Sequence, residues 1–408
     1  MADLSVKSFN MINPFVIASS PATQGVKAVL KSASAMPGAI AMRNFGHGAG
    51  GGTYHGEDHR PGSMRTQIHA LGNRIPDGFP NLEAYCEGVK KARSQLSGEI
   101  RLWVSVGHFS DLTRAFNWEE DWKRQAIELT LAGADALELH FNTPGVLIAR
   151  DRVFDFYRLV YKATKMIRSV TSLPIMVKLP LENCDALRAM DAAVYGGASA
   201  VGPTARWKAF QFDLDWKRSL ALTGGGYGGT QALPIICQVV AEARDNGITI
   251  PIYAGGGVFS WQAAAKLMMS GSDIVQIGSL GCCEGPLAVK ALIEGLSAWM
   301  DKAGYRSAEE LKGAALPLYH LDAQTSDSRA KKVGELYRNT WVEREKCTGC
   351  GKCESACWYE GIEIKDRKAA KTEHCIGCGY CFSVCPTGAL SANAGDTAAD
   401  AFLNQFHR

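Results

Sequence analysis

The sequence Cys347-Thr-Gly-Cys350-Gly-Lys-Cys353-Glu-Ser-Ala-Cys357, followed by Cys375-Ile-Gly-Cys378-Gly-Tyr-Cys381-Phe-Ser-Val-Cys385-Pro386, decides the fold of the C-terminal part of this chain. Both runs have the spacing Cys-x2-Cys-x2-Cys-x3-Cys, which is typical of a pair of [4Fe–4S] clusters. In such pairs the fourth cysteine of each run binds the cluster of the other run. We therefore predict one cluster on Cys347, Cys350, Cys353 and Cys385, and a second cluster on Cys375, Cys378, Cys381 and Cys357.

A zinc site and a disulfide framework are the alternatives to iron–sulfur clusters for these cysteines. A structural zinc site favours two cysteine pairs separated by a longer loop, and a disulfide framework requires an oxidising compartment. Trp358 stands where the second run has Pro386, a departure expected to alter local packing more than ligation. The segments 361–364 and 388–391 follow the two runs and suit short strands, so we predict a small α+β domain of the bacterial ferredoxin type.

The composition describes an ordinary globular chain of 408 residues, with 46% hydrophobic residues, 21% charged residues and a net charge of +3. No basic run favours nucleic-acid binding. No apolar stretch reaches the roughly 18 residues that a membrane-spanning helix needs. Because the N-terminus has no apolar signal core and many cysteines are present, we expect a cytoplasmic protein.

The first 300 residues alternate short apolar runs with amphipathic segments. The strand-like runs are 14–18, 39–42, 102–106, 136–140, 175–179, 200–202, 250–254 and 274–277, and helical segments include 119–132, 154–170, 185–195, 233–246 and 262–270. Eight strands alternating with helices predict a (β/α)8 TIM barrel. The alternative, a doubly wound open sheet, favours a Gly-x-Gly-x-x-Gly turn after the first strand, and none follows there.

Three glycine-bearing turns in the second half of this region indicate a phosphate site. They are Tyr-Gly-Gly-Thr (227–230), Ile-Tyr-Ala-Gly-Gly-Gly-Val (252–258) and Gln-Ile-Gly-Ser-Leu (276–280). Late barrel loops and helix N-termini commonly bind phosphate through backbone amides. Lys178, near the end of the fifth strand, is predicted to point into the barrel opening and to stabilise negative charge on a reduced cofactor, with a structural salt bridge as the alternative. Gly46–Gly52 is interpreted as a flexible active-site loop.

Several segments resemble the flavin-binding barrel of the dihydroorotate and dihydropyrimidine dehydrogenase families. They are Asn-Pro-Phe-Val-Ile-Ala-Ser-Ser-Pro-Ala-Thr (13–23), Gly-Ala-Asp-Ala-Leu-Glu-Leu (133–139), Val-Lys-Leu (177–179), Tyr-Gly-Gly-Thr-Gln-Ala-Leu-Pro-Ile (227–235) and Ala-Gly-Gly-Gly-Val (254–258). The resemblance implies FMN as cofactor. It also implies flavin contacts from Ala18, Ser19, Arg43 and Lys178, ribityl or phosphate contacts from Gly229 and Thr230, and phosphate contacts from Gly256, Gly257, Gly278 and Ser279.

The chain departs from that family where the substrate is bound. The family's Asn-Leu-Ser-Cys-Pro is replaced by His140-Phe-Asn142-Thr-Pro, and the loop that follows has neither the cysteine nor the serine that serves the family as acid/base. A histidine is the natural replacement for proton transfer. We predict His140 first and His108 second, with His47, His55 and His59 as weaker candidates. Substrate contacts are predicted from Arg43, His140, Asn142 and Arg206, while Arg150 fits a surface ion pair at least as well.

Four segments are expected: a barrel over 1–300, a linker packing on the barrel over 301–340, the ferredoxin domain over 341–393 and a tail over 394–408. The leading hypothesis is an FMN and iron–sulfur oxidoreductase acting on a C–C or C–N double bond of a small, polar, cyclic substrate. Because no dinucleotide fingerprint is present, its electron partner is expected to be an FAD- and NAD(P)-dependent flavoprotein subunit or a soluble ferredoxin. An oligomer is expected. The alternatives are an electron-transfer subunit without its own substrate and, more remotely, an RNA-modifying flavoenzyme.

Overall fold

The computed structural model describes residues 2–44, 53–55, 66–69, 79, 81–107, 118–141, 156–182, 184–205, 207–211, 222–323 and 340–391. The chain divides into two compact units, Met1–Leu316 and Pro317–Arg408. The boundary between them falls inside the segment 301–340 that was predicted as a linker. Each unit is described by itself.

The described residues form sixteen strands and thirteen α-helices. The strands are β1 (Phe15–Ile17), β2 (Ala39–Met42), β3 (Thr53–His55), β4 (Thr66–His69), β5 (Arg101–Val106), β6 (Ala136–His140), β7 (Ile175–Pro180), β8 (Ala200–Thr204), β9 (Trp207–Gln211), β10 (Leu222–Gly229), β11 (Tyr253–Gly255), β12 (Ile274–Ile277), β13 (Trp341–Val342), β14 (Ile362–Lys365), β15 (Lys368–Lys371) and β16 (Leu390–Ser391). The helices are α1 (Gly25–Ala33), α2 (Leu82–Gln95), α3 (Trp118–Leu131), α4 (Phe156–Arg168), α5 (Ala186–Tyr195), α6 (Leu233–Asp245), α7 (Trp261–Met269), α8 (Ser279–Glu284), α9 (Pro286–Ala303), α10 (Ala308–Leu311), α11 (Leu316–Ala323), α12 (Lys352–Ser355) and α13 (Tyr380–Val384).

Eight parallel strands close into a barrel in the order β1-β12-β11-β8-β7-β6-β5-β2. Each of the eight strand-like runs identified in the sequence contains one of these strands, with differences of a few residues at the ends. The predicted TIM barrel is therefore confirmed. The helical segments predicted at 119–132, 154–170, 185–195, 233–246 and 262–270 correspond to α3 to α7.

The barrel has two apolar layers, as the alternation of side chains along a strand requires. Outward-facing residues such as Leu137 and Leu139 pack against the helices. Inward-facing residues form a second cluster, in which the rings of Trp103 and Tyr253 meet edge to face with centroids 5.6 Å apart. Met11, from the segment before β1, joins this inner cluster. The inner cluster thus fills the N-terminal end of the barrel and leaves ligand chemistry to the other end.

A short repeated pattern joins neighbouring strands at the N-terminal end of the barrel. Gly-x-Asp or Gly-x-Ser precedes β6, β8 and β12, and the polar side chain accepts a hydrogen bond from the backbone of an adjacent strand. These bonds run from Leu102 N to Asp135 Oδ2 at 2.7 Å, from Ile175 N to Ser199 Oγ at 3.0 Å, and from Ile252 N to Asp273 Oδ2 at 2.8 Å. Asp273 also pairs with Arg244, and its Oδ1 lies 3.0 Å from Lys312 Nζ.

A four-stranded antiparallel sheet, in the order β3-β4-β10-β9, was not predicted. It places Tyr227-Gly-Gly229 at the end of a strand, where the sequence suggested only a turn. His55, one of the weaker acid/base candidates, pairs with Gln67 in this sheet. The sheet matters for the site because β10 leads directly into the 3-10 helix Thr230–Ala232 and then into α6.

The C-terminal unit contains two small antiparallel sheets, β13 with β16 and β14 with β15. Strands β14 and β16 coincide with the segments 361–364 and 388–391 that the sequence assigned to strands. Their partners β13 and β15 were not predicted. A small core of Cys353, Ile362, Ala369, Cys381 and Leu390 lies between them, as expected for a small ferredoxin-like domain.

Candidate active site and metal centres

All eight parallel strands end at one rim, which we call the mouth of the barrel. The structure places the following predicted residues at or beside this rim: Ala18 and Ser19 after β1, Arg43 after β2, His140 at the end of β6, Lys178 within β7, Gly229 and Thr230 before α6, Gly256 and Gly257 after β11, and Gly278 and Ser279 after β12. The functional ends of TIM barrels lie at this rim. The predicted flavin residues therefore converge on one end of the barrel.

Other predicted residues lie outside the part of the chain that the structure describes. They are His108, Asn142, Arg206, Arg150, His47, His59 and the loop Gly46–Gly52. Only the backbone of His55 is described. The roles assigned to these residues stay predictions.

A buried charge pair lies below the mouth. Lys178 is only 3% exposed, and its Nζ is 3.8 Å from Oε1 of the fully buried Glu138 on the neighbouring strand β6. Ser105 donates a hydrogen bond of 3.1 Å from its Oγ to Glu138 Oε2. In the strand register, Lys178 is directly opposite His140, so both side chains occupy the same side of the sheet. The salt bridge that was the structural alternative for Lys178 is thus present, at the position expected of a flavin contact.

Two further polar side chains line the barrel interior. The Tyr253 hydroxyl and Gln276 Oε1 are buried and have no hydrogen-bond partner among the described residues. Gly202 leaves room for the Tyr253 ring, because a Cβ at Gly202 would collide with ring carbons. Neither residue was predicted from the sequence. The available signal was the presence of polar residues at inward positions of otherwise apolar strands.

The loops at the mouth contain helix starts without a side-chain cap, which suit a phosphate. Three N-cap positions, Gly229, Ala232 and Gly278, have no side chain that caps the helix they begin. By contrast, Ser260 caps α7 through a hydrogen bond to Ala263 N. Backbone N–H groups at uncapped helix starts are available to an anion. Ser19 Oγ is also buried without a hydrogen-bond partner among the described residues. These donors fit the phosphate and polar edge of a mononucleotide.

Gly257 is required by its surroundings. Its φ is +73°, and a Cβ there would lie 2.5 Å from the backbone nitrogen of Leu233, at the start of α6. The glycine therefore lets the turn after β11 lie directly against the start of this helix. This close approach brings the second glycine-bearing segment of the phosphate prediction, 252–258, next to the helix that follows the first segment, 227–230.

Arg43 follows β2 and is held by its backbone N–H, which donates to Thr23 O at 3.2 Å. Burial lowers the pKa of the Arg43 guanidinium, while the nearby Cys282 thiol of α8 acts in the opposite direction. An arginine remains charged even when its pKa is lowered in this way. Arg43 therefore supplies a partly buried positive charge near the mouth.

In the C-terminal unit, the cysteines of each predicted cluster line one cavity. Cys347, Cys350, Cys353 and Cys385 line one cavity, which we call cavity one. It takes three thiols from the first run and the fourth thiol from the second run. The arrangement of these thiols therefore matches the crossover pattern of ligands that is expected for a pair of [4Fe–4S] clusters.

The second cavity has the complementary set of thiols. Cys357, Cys375, Cys378 and Cys381 line a second cavity, which we call cavity two. All thirteen cysteines of the chain are free thiols. Among the described residues, no three His, Cys, Asp or Glu side chains are arranged to hold a single metal ion. The thiols of each cavity thus surround a space, as ligands of a cluster must, and do not converge on a point.

Backbone amides also point at the cysteine sulfurs. The N–H groups of Gly361, Ala369 and Ala389 donate to the sulfurs of Cys357, Cys347 and Cys385 at 3.1, 3.3 and 3.2 Å. Burial would raise the pKa of Cys385, but hydrogen bonds from Thr387, Ala389 and Leu390 lower it overall. Such bonds stabilise thiolates and tune the reduction potential of a cluster.

Comparison with protein families identifies both units. The family described as dihydroorotate dehydrogenase matches residues 1–300, and a 4Fe-4S dicluster domain matches residues 340–391. The first match covers well over half of the chain.

Among the described residues, no helix is both long enough and apolar enough to cross a membrane.

Similar proteins come from bacteria and archaea. The catalytic subunit of dihydroorotate dehydrogenase B (NAD(+)) from Pyrococcus abyssi is 30% identical over 184 residues, which are 45% of this chain and 61% of the relative. The NAD-dependent dihydropyrimidine dehydrogenase subunit PreA from Escherichia coli K12 is 25% identical over 262 residues, 61% of each chain. The matched region thus spans about three-fifths of these relatives. A dihydroorotate dehydrogenase from Eimeria tenella, solved with ferulenol, shares the fold with a TM-score of 0.55 at 16% identity, covering 74% of this chain and 85% of that one.

Gly278→Ala tests whether the uncapped amides at the mouth face a ligand. Among the described residues, apart from the chain neighbours of Gly278, no atom lies within 4 Å of the added Cβ, and the backbone φ of −104° accepts alanine. We expect an unchanged melting temperature but FMN binding weakened by about tenfold, or about 1.4 kcal/mol, because the methyl group competes with the phosphate. Fluorescence titration of the FMN-free protein measures this. Gly98→Ala, also in open space but distant in sequence from these turns, is the matched control; equal FMN affinity in both variants would contradict a phosphate site at Gly278.

Proposed function

The chain belongs to the dihydroorotate dehydrogenase family, and we propose that it is an FMN- and iron–sulfur-dependent oxidoreductase acting on a C–C or C–N double bond of a small, polar, cyclic substrate. The observation that carries this proposal is the combination of two units in one chain. One is a family barrel whose mouth has uncapped helix starts and a buried lysine, and the other is a domain whose eight cysteines line two cavities. Both halves are needed for an enzyme that exchanges single electrons with a partner and transfers electrons in pairs to or from its substrate.

The geometry of the mouth supports the cofactor contacts that the family resemblance implies. The amides at Gly229, Gly256, Gly257, Gly278 and Ser279, with Thr230, would hold the phosphate and ribityl chain. Ala18, Ser19 and Arg43 would contact the flavin, and Lys178 would place positive charge at its pyrimidine edge. Bound FMN would supply hydride exchange with the substrate and single-electron exchange with the clusters.

The proposed cluster ligands are the four thiols around each cavity. Cavity one would hold a [4Fe–4S] cluster on Cys347, Cys350, Cys353 and Cys385, and cavity two would hold another on Cys357, Cys375, Cys378 and Cys381. The amide hydrogen bonds to three of these sulfurs support thiolate ligation, because an N–H donor stabilises negative charge on sulfur.

The substrate is proposed to differ from the pyrimidines of the family. His140 stands where those enzymes have a substrate-binding asparagine, and it is placed beside Lys178 by the strand register. A histidine can exchange a proton near neutral pH and would serve as acid/base at the carbon next to the reacting one. Polar groups at the strand ends favour an enzyme over the alternative of an electron-transfer subunit, for which an apolar mouth was expected.

Cavity two is the proposed point of electron exchange with a partner. Four large apolar side chains that flank its cysteines are exposed: Trp358, Tyr359, Ile376 and Tyr380, with Trp358 90% exposed. An adjoining concavity is lined by the carboxylates of Glu354, Glu360, Glu363 and Glu373. An aromatic centre with an acidic rim is complementary to an electron-transfer protein with a basic contact surface. The proposed partner is a flavoprotein subunit that uses FAD and NAD(P), or a ferredoxin. We also propose that the protein is cytoplasmic and forms an oligomer.

Purification of the whole chain without oxygen tests the cofactor assignment. We expect a brown protein that contains about eight irons, four for each proposed cubane, and that releases FMN when it is denatured. Iron analysis, acid-labile sulfide and fluorescence of the released flavin measure this content. A colourless protein that binds zinc and releases no flavin would refute the proposed function.

His140→Asn tests the proposed acid/base. We expect FMN content to be retained and turnover to fall by about 100-fold or more, since proton transfer by a positioned side chain contributes on that order. The measurement is reoxidation of the reduced protein by a panel of cyclic amides, enones and dihydropyrimidine-related compounds, followed by turnover with the best one. Tyr195→Phe, which removes an exposed hydroxyl on α5, is the control. Unaltered turnover in His140→Asn would remove His140 from the mechanism.

The double substitution Trp358→Ala and Tyr380→Ala tests the partner surface. Cytochrome c, a basic one-electron acceptor, serves as the protein probe, and methyl viologen serves as the small probe. Loss of two aromatic contacts should slow electron transfer to cytochrome c by about tenfold and leave transfer to methyl viologen unchanged. Trp341→Ala, at an exposed tryptophan of β13 that does not line cavity two, is the control. Equal slowing with both probes would indicate damage to a cluster and not loss of a contact surface.

A further inference from the structure

Glu138 is a carboxylate in the middle of an apolar strand. The alternation along β6 turns Leu137 and Leu139 outward to the helices, and turns Ala136 and Glu138 inward to the barrel axis. Glu138 is fully buried. A carboxylate is costly to bury unless it is paired and hydrogen-bonded, so its position calls for an explanation in terms of its partners.

The contacts of Glu138 distinguish its two oxygens. Oε2 accepts the hydrogen bond from Ser105 Oγ at 3.1 Å. Oε1 has no hydrogen-bond partner among the described residues, and lies 3.8 Å from Lys178 Nζ. This separation is too long for a hydrogen bond, so the attraction between Glu138 and Lys178 is electrostatic. In a buried environment such an attraction is screened much less than at the surface.

The other titratable groups that face Glu138 are the phenols of Tyr85 and Tyr253. Burial raises the pKa of both phenols, and the negative charge of Glu138 raises them further. Both therefore remain neutral, and the charge of Glu138 is balanced by Lys178. The two charges are on adjacent strands, with Lys178 nearer the mouth by its register opposite His140.

We propose that Glu138 is a positioning residue that holds the ammonium group of Lys178, with its charge retained, at the place where the pyrimidine edge of the flavin binds. This inference rests on the proposed function, because it concerns the same cofactor site. The lysine side chain has four rotatable methylene groups, and a fixed carboxylate behind it restricts where its charge can lie. A fixed positive charge at this edge stabilises the reduced flavin and raises its reduction potential.

The test is the two-electron reduction potential of bound FMN in the whole protein, measured by spectroelectrochemistry. Lys178→Met should lower the ratio of reduced to oxidised FMN at a fixed applied potential by about tenfold, which is about 30 mV for two electrons. Glu138→Gln should shift the potential in the same direction, because Lys178 then loses its counter-charge and its fixed position. In the double variant, Glu138→Gln should add no further shift to that of Lys178→Met.

The sign of the Glu138→Gln shift decides between two roles. If Glu138 acted only as a negative charge near the flavin, its removal would raise the potential, and such a rise would overturn the proposal. If Glu138 only supported the fold, the potential would stay unchanged, which would also overturn it. Asp273→Asn is the matched control, because it removes a carboxylate from a partly buried ion pair at the opposite end of the barrel. We expect it to lower the melting temperature without moving the potential.

Ser105→Ala provides a second variant in case Glu138→Gln does not fold. It keeps the charge of Glu138 but removes the hydrogen bond that orients the carboxylate, so we expect a smaller shift in the same direction; no shift in a folded Ser105→Ala protein would overturn the positioning role. Wild-type protein without FMN would refute the proposed function itself. Wild-type protein that binds FMN, with a potential unmoved by these substitutions, would refute this inference alone.

Discussion

Closure of the barrel is the constraint on which the site depends. Once eight strands form a ring, every second side chain must share the axis, and the space there is finite. The N-terminal half of that space is filled by Trp103, Tyr253 and Met11, so polar groups are admitted only toward the mouth. Lys178 and Glu138 occupy that upper level, where one strand pairing sets their separation. The chemistry at the rim therefore follows from which inward positions are apolar and which are charged.

The two units solve different electrostatic problems. At the mouth, in the proposed FMN complex, negative charge on the phosphate and the reduced ring would be met by backbone amides, a lysine and an arginine. In the C-terminal unit, negative charge on sulfur is met by N–H donors from Gly361, Ala369 and Ala389. Preorganised dipoles serve in both places, and they need no rearrangement when an electron arrives. A chain that joins the two arrangements suits reactions in which electrons are delivered singly and used in pairs.

The sequence was sufficient for the parts of the fold that have strong local signals. All eight barrel strands were located because buried parallel strands are continuous apolar runs. The cysteines line two cavities in the two groups that their spacing predicts. The four-stranded sheet was missed because strands such as Leu222–Gly229 are rich in glycine and lack alternation. Glu138 was missed because its partner Lys178 is forty residues away, and only the strand register brings them together. Small antiparallel pairs such as β13 with β16 were missed for the same reason.

The pairing of β13 with β16 has a consequence for how such a chain can be assembled. Trp341 is opposite Ser391, so the polypeptide enters and leaves the cysteine-bearing fold at neighbouring points. A fold whose two ends meet can be joined to a host protein, or removed from it, with little disturbance of its own interior. The cysteine-bearing fold is in this sense portable, because a single in-frame fusion at one site would add it to another protein.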